Sequence, residues 1–199
     1  MGEIYTFIDL ETTGLDHEND QIIEIAAVRT DLEREYGRFQ TFVQLDCGDL
    51  PPEIVKLTGI TDADLGPGGI DSADIHLIIR KFIKNSTVVA HFAPFDFAFL
   101  NEFDTRPLHF VCTRSLAKLV APTESASLKN VCARYGIELN GHHRAMNDVL
   151  ATIEVFRKLK SIADYRGIDY RNVVVNAPDR PLKYVPYGAK VVEASTECR

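Results

Sequence analysis

The chain has 199 residues, 45% of them hydrophobic, 26% charged and 9% aromatic, with a formal net charge of −7. That length and composition fit one compact domain with a sizeable core, and they exclude a disordered, collagenous or coiled-coil chain. The acidic balance excludes a protein that coats nucleic acid with basic side chains, while leaving room for a carboxylate cluster neutralised by divalent ions.

No apolar run reaches the roughly 18 residues that a membrane helix needs. The opening Met1-Gly2-Glu3-Ile4 enters a strand-like segment at once, without the shape of a signal peptide. The expectation is a cytoplasmic protein with no membrane partner. Cys47, Cys112, Cys132 and Cys198 are widely spaced and lack the C-x-x-C pairs of zinc or redox sites, so they read as reduced structural thiols.

From Ile4 to Leu10 the chain is a continuous hydrophobic run ending in acids. With a period of two, Tyr5, Phe7, Asp9 and Glu11 share one face and Ile4, Thr6, Ile8 and Leu10 the other. Apolar residues on both faces predict a central strand covered by helices on both sides. Gly14 marks a turn; Ile22 to Thr30 and Tyr36 to Leu45 then read as the second and third strands of a meander. The pattern switches after Pro51-Pro52. Asp71 or Ser72 can cap a helix whose apolar positions Ile75, Ile78, Ile79, Phe82 and Ile83 recur at helical spacing. Thr87 to His91 is a short buried strand, Pro94 opens a helix through Phe103 from its first position, and Leu108 to Cys112 is a fifth strand. Helices follow near residues 113–120, 128–135 and 144–161. Strands first, then helices alternating with strands, predict an α/β fold: a mixed sheet with helices on both faces. Residues 164–199, richer in Tyr, Pro and Gly, read as a hairpin or appendage on a domain of residues 1–163, not as an independent domain.

Asp9 and Glu11 lie on one face at the end of the first strand, where paired carboxylates suit hard cations such as Mg²⁺. Taken alone, acids at a strand end are more often turn or cap residues. Asp96 falls in the first turn of a helix, a position the helix dipole favours by itself. Phe92, Phe95, Phe97 and Phe99 surround it in sequence, and a carboxylate buried among them needs a metal, an arginine or a lysine. His143 precedes a late helix and Asp148 faces inward one turn along it. A histidine beside a metal-bound carboxylate can take a proton from water, although an isolated His-x4-Asp is usually structural. His142 rivals His143, and spacing alone separates them.

In combination these segments resemble the DnaQ-like (DEDDh) exonucleases, which include the proofreading subunits of bacterial replicative polymerases and exonuclease X-like enzymes. Phe7-Ile8-Asp9-Leu10-Glu11-Thr12-Thr13-Gly14 matches the first motif, with Ile22-Ile23-Glu24-Ile25-Ala26 after it. His91-Phe92-Ala93-Pro94-Phe95-Asp96 matches the second and His143-Arg144-Ala145-Met146-Asn147-Asp148 the third. Leu57-Thr58-Gly59-Ile60-Thr61 looks like the link between motifs, and Cys112 to Ala117 and Val131 to Ile137 are also family-like. Arg144 stands where the tyrosine branch of the family would have Tyr, which favours the histidine branch. Many members have asparagine where this chain has Phe92; packing in the core and stacking on a base are the two readings of that departure.

The resemblance implies an RNase H-like fold, a five-stranded mixed sheet of order 3-2-1-4-5 with strand 2 antiparallel. It implies that Asp9, Glu11, Asp96 and Asp148 hold two Mg²⁺ or Mn²⁺ ions, with His143 accepting a proton. Thr12, Thr13, Gly14, Ile60, Phe92 and Phe95 would contact the substrate. The activity implied is 3′→5′ hydrolysis releasing nucleoside 5′-monophosphates from single-stranded or frayed DNA 3′ ends, with RNA as an alternative substrate and a DNA polymerase as a partner. Tyr165-Arg166, Tyr170-Arg171 and Lys183-Tyr184 interleave aromatics with base; they either cover a sheet edge or extend a substrate groove.

Overall fold

The N-terminal hydrophobic run becomes the middle of a sheet. In the computed structural model, which describes residues 2–66, 68–141 and 143–194, β1 (Tyr5–Thr12) lies between β2 (Ile22–Thr30) and β4 (Thr87–Ala90). β3 (Glu35–Phe42) and β5 (Phe110–Cys112) form the edges, giving the order β3-β2-β1-β4-β5. β2 is antiparallel to β1 and β3, while β1, β4 and β5 run parallel. This is the RNase H-like arrangement expected.

Alternation along β1 divides the core. Tyr5 and Phe7 pack with α5 (Thr113–Val120), α6 (Leu128–Tyr135) and α7 (Ala145–Arg166), their rings edge-on to Phe156. Ile8 and Leu10 turn to the other layer, where α3 (Ser72–Phe82) contributes Ile75 and Ile79 and α4 (Ala93–Asn101) contributes Phe97 and Leu100. With both faces covered, β1 carries apolar side chains in both directions, as a central strand must. Asp9 and Glu11 stay on the face of Tyr5 and Phe7 but at the strand's C-terminal end, beyond the packed core.

The element ends moved in several places. Asp71 is the α3 cap, accepting from the Ala73 N–H at 2.8 Å. α4 begins at Ala93 and stops at Asn101, with Pro94 one position inside the helix. α7 runs on to Arg166, past the boundary expected at residue 163, and stops at Gly167, whose φ of 66° suits glycine. Two short helices, α1 (Pro52–Thr58) and α2 (Asp62–Leu65), fill the stretch after Pro51-Pro52. The last segment is not a hairpin. β6 (Val173–Asn176) and β7 (Lys190–Glu193) pair in parallel, so the intervening chain must cross back before the second strand begins. Cys47, Cys112 and Cys132 are free thiols, and Cys198 lies outside the described residues. Among the described residues, no helix is long and apolar enough to cross a membrane.

Candidate active site

Three chain segments meet at the C-terminal end of β1. The strand supplies Asp9, half-buried, and Glu11, buried. The first turn of α4 supplies Asp96, which is 3% exposed and accepts a hydrogen bond from the Leu10 N–H, between the two strand acids. The first turn of α7 supplies Asp148, 5% exposed. His143, half-buried, lies in the loop before α7 at a φ of 69°, with its N–H directed to Asp148 Oδ2 at 3.4 Å. A left-handed backbone at a residue other than glycine is costly unless its surroundings fix it. One ligand atom from each of Glu11, His143 and Asp148 falls within a sphere where all lie within 4.8 Å of one another. His142 lies outside the described residues.

The electrostatics follow from this crowding. Asp9 is pushed well above the ordinary carboxylate range, first by burial and then by the charges of Asp96, Asp148 and Glu11. Glu11 is pushed up to about 8, by burial and then by Asp148, Glu24 and Asp96. Burial raises Asp96 to about 7. Among the described residues, Asp9, Glu11 and Asp96 form no ion pair with a lysine or arginine. Arg180 and Arg144 only partly offset that repulsion from farther away, and buried carboxylates without a direct ion pair are a donor set for hard divalent cations, which favour oxygen ligands. The residues present therefore fit such ions.

Glu24 behaves differently, although it is fully buried and pairs with Glu11 across β1 and β2. It accepts from Arg144 Nη2 at 3.0 Å, from the Ala145 N–H at 3.0 Å and from Gln40 Nε2 at 2.6 Å. That network clamps the start of α7, and with it His143 and Asp148, to the sheet. In the sequence Glu24 stands inside a family-like segment with no assigned role, and Arg144 distinguishes only the histidine branch of the family. A pair 120 positions apart leaves no local signal.

The expected substrate residues divide. Thr12 donates through Oγ1 to the Gly14 carbonyl at 2.6 Å, and Thr13 donates through Oγ1 to Asp20 Oδ1 at 3.0 Å. A Cβ on Gly14 would sit 2.3 Å from Asp20 Oδ2, so any larger residue there would have to displace the Asp20 carboxylate. Phe92 and Phe95 are half-buried beside a cleft next to Asp96. Ile60 is corrected: at 1% exposure it packs with Ile23, Leu50 and Leu65 beneath α1 and α2, a core position rather than a substrate contact. Its side chain fills the apolar underside of the two short helices, which carry no helical periodicity of their own in the sequence.

Comparison with known proteins agrees with the geometry. The RNase T family model, described as exonuclease, matches residues 6–156. The chain is 35% identical over 165 residues to DNA polymerase III subunit epsilon of Aquifex aeolicus, covering 78% of this chain and 79% of that protein. It is 34% identical over 178 residues to the PolC-type DNA polymerase III of Bacillus subtilis, covering 85% of this chain but only 12% of the polymerase. Among solved structures, E. coli Exonuclease I in complex with a dT13 oligonucleotide aligns with a TM-score of 0.72 at 20% identity, over 83% of this chain and 42% of that one. The likeness to Exonuclease I shows the shared fold, and the epsilon and family matches show the kinship. The chain is an exonuclease domain and belongs to the RNase T exonuclease family.

Proposed function

We propose that the protein is a metal-dependent 3′→5′ exonuclease acting on DNA, single-stranded or frayed at its 3′ end, and releasing nucleoside 5′-monophosphates. The observation that carries this reading is the meeting of Asp9, Glu11, Asp96 and Asp148 with His143 at one end of β1. Asp9, Glu11, Asp96 and Asp148 would hold two Mg²⁺ or Mn²⁺ ions. Bound there, the ions supply Lewis acidity to the phosphodiester and cancel the mutual repulsion of the acids. His143 takes the proton of the attacking water, its ring held beside Asp148 on a loop that can pass the proton to solvent. Thr12, Thr13 and Gly14 border the terminal nucleotide.

Residues 164–199 act as an extension of the exonuclease domain in this reading. The epsilon and PolC relatives support a DNA polymerase partner and a cytoplasmic location. The test is digestion of matched oligonucleotides labelled at either end, in Mg²⁺ and in EDTA. Stepwise mononucleotide release from the 3′ end, abolished by EDTA and by Asp9→Ala, Glu11→Ala, Asp96→Ala or Asp148→Ala, is the expected result. Internal fragments would indicate an endonuclease, and intact substrate would indicate a silent docking module; either overturns the proposal. Parallel digestion of single-stranded DNA, mismatched duplex and RNA ranks the substrates.

A further inference from the structure

The chain beyond α7 lies outside the residues matched by the exonuclease family, yet it builds a wall beside the carboxylates. Arg114, only 5% exposed, donates through Nη2 to Asp179 Oδ2 at 2.8 Å, and Lys118 Nζ lies 3.8 Å from the other oxygen. Ala177 and Arg180 close an antiparallel bridge, and the Leu182 N–H donates to Asn176 Oδ1 at 3.1 Å. These contacts pin the segment 177–184 to α5, and it faces the start of α4. Between that segment and α4 lies a cleft of about 320 Å³, with Phe92, Phe95 and Phe99 on one side and Arg180, Lys183 and Tyr184 on the other.

The lining specifies what can occupy it. Aromatic faces accept a base of any identity, and cations at the same place accept its phosphate. Arg180 Cζ is 4.4 Å from the centre of the Phe92 ring, so the aromatic that replaces the family's usual asparagine is paired with a guanidinium from the C-terminal segment. A volume near the lower end of ligand cavities, which run from about 300 Å³, admits one nucleotide rather than a longer stretch. Phe95 immediately precedes Asp96 on α4, which places the cleft beside the proposed reaction centre.

We propose that this cleft binds the nucleotide on the 5′ side of the scissile bond, its base against Phe92, Phe95 and Tyr184 and its phosphate at Arg180 and Lys183. The proposal rests on the exonuclease reading above and assigns the C-terminal segment the grip on the strand rather than the cut.

The test uses the full chain and two substrates: a single-stranded DNA oligonucleotide, and the p-nitrophenyl ester of thymidine 5′-monophosphate, which has no second nucleotide. Arg180→Ala and Tyr184→Ala should lower the oligonucleotide-to-ester ratio of kcat/KM about tenfold, mainly through KM, with Arg180→Lys and Tyr184→Phe restoring most of it. Independently of cleavage, 2-aminopurine placed second from the 3′ end should be quenched on binding to the wild type in Ca²⁺ and much less on binding to Tyr184→Ala. An unchanged ratio, equal losses on both substrates, or equal quenching overturns the subsite. A wild type that cleaves neither substrate would instead sink the exonuclease reading, and the two failures are thereby distinct.

Discussion

Glu11 and Glu24 face each other across β1 and β2, and of the two it is Glu24 that forms an ion pair with an arginine, Arg144. Two carboxylates in one register position would ordinarily repel and destabilise the pairing. Arg144 and the Ala145 N–H take up the charge of Glu24, which leaves Glu11 as the member of the pair open to a metal ion. Arg144→Ala should therefore act twice. It strands a fully buried carboxylate, at a cost of about 2–4 kcal/mol given that the arginine is partly exposed. It also frees the start of α7, lowering kcat through His143 and Asp148. Denaturant titration beside steady-state kinetics checks both, and Glu24→Gln/Arg144→Ala should recover stability because no buried charge is left unpaired. If Arg144→Ala matches the wild type in both measurements, the clamp has no role.

The carboxylates make metal-free stability fall with rising pH. A carboxyl whose folded-state pKa lies above its ordinary value contributes stability while protonated, and loses it as pH rises through the folded value. For Asp96 that loss begins above the ordinary value of 3.8 and is complete at about 7, and for Glu11 it runs from 4.5 to about 8. In EDTA the Tm should drop as pH goes from about 5 to about 9, whereas saturating Mg²⁺ should flatten the curve, adding about 3 kcal/mol at a hundredfold excess over its Kd. Glu11→Gln should flatten the EDTA curve and shrink the Mg²⁺ effect. A wild-type Tm that is as pH-independent in EDTA as in Mg²⁺ would contradict the burial of these acids.

Much of this was legible because the strongest signals are local. The unbroken apolar run before Asp9 and Glu11 can only be a strand covered on both faces, and the phenylalanines around Asp96 announce a carboxylate with little water. The features that were missed depend on contacts distant in sequence. α1 and α2 are short and take their stability from packing Ile60 and Leu65 against Ile23 and Leu50, not from intrinsic helix formation. The Glu24–Arg144 pair joins β2 to α7, and neither residue is unusual among its neighbours. The parallel pairing of β6 with β7 carries no turn signature, because a crossover replaces the tight turn that marks a hairpin.

His143→Ala should slow cleavage by about 10²–10⁴-fold without abolishing it, the ordinary contribution of a positioned base. The loss should appear in kcat, with substrate affinity held by residues elsewhere. Single-turnover rates of the variant and the wild type in saturating Mg²⁺ measure this. Normal turnover would remove His143 from the chemistry and transfer the proton to another acceptor.

Asn172 decides whether the C-terminal segment is integral to the sheet. Its side chain accepts from the Phe110 N–H at 2.8 Å through Oδ1 and donates to the Leu108 carbonyl at 3.1 Å, capping the open edge at β5. It does so from a φ of 53°, a left-handed conformation that asparagine tolerates and alanine does not. Just beyond it, Val173, Val174 and Val175 are buried, and the Val175 N–H donates to Ser115 Oγ at 2.9 Å. Asn172→Ala loses both hydrogen bonds and adds backbone strain, for about 2–4 kcal/mol in all, whereas Asn172→Gly loses the hydrogen bonds alone and should cost about 1–2 kcal/mol. Equilibrium unfolding of the two variants gives the order directly. If glycine proved as damaging as alanine, the strain argument would fail; if neither mattered, β5 would not need the segment that follows α7.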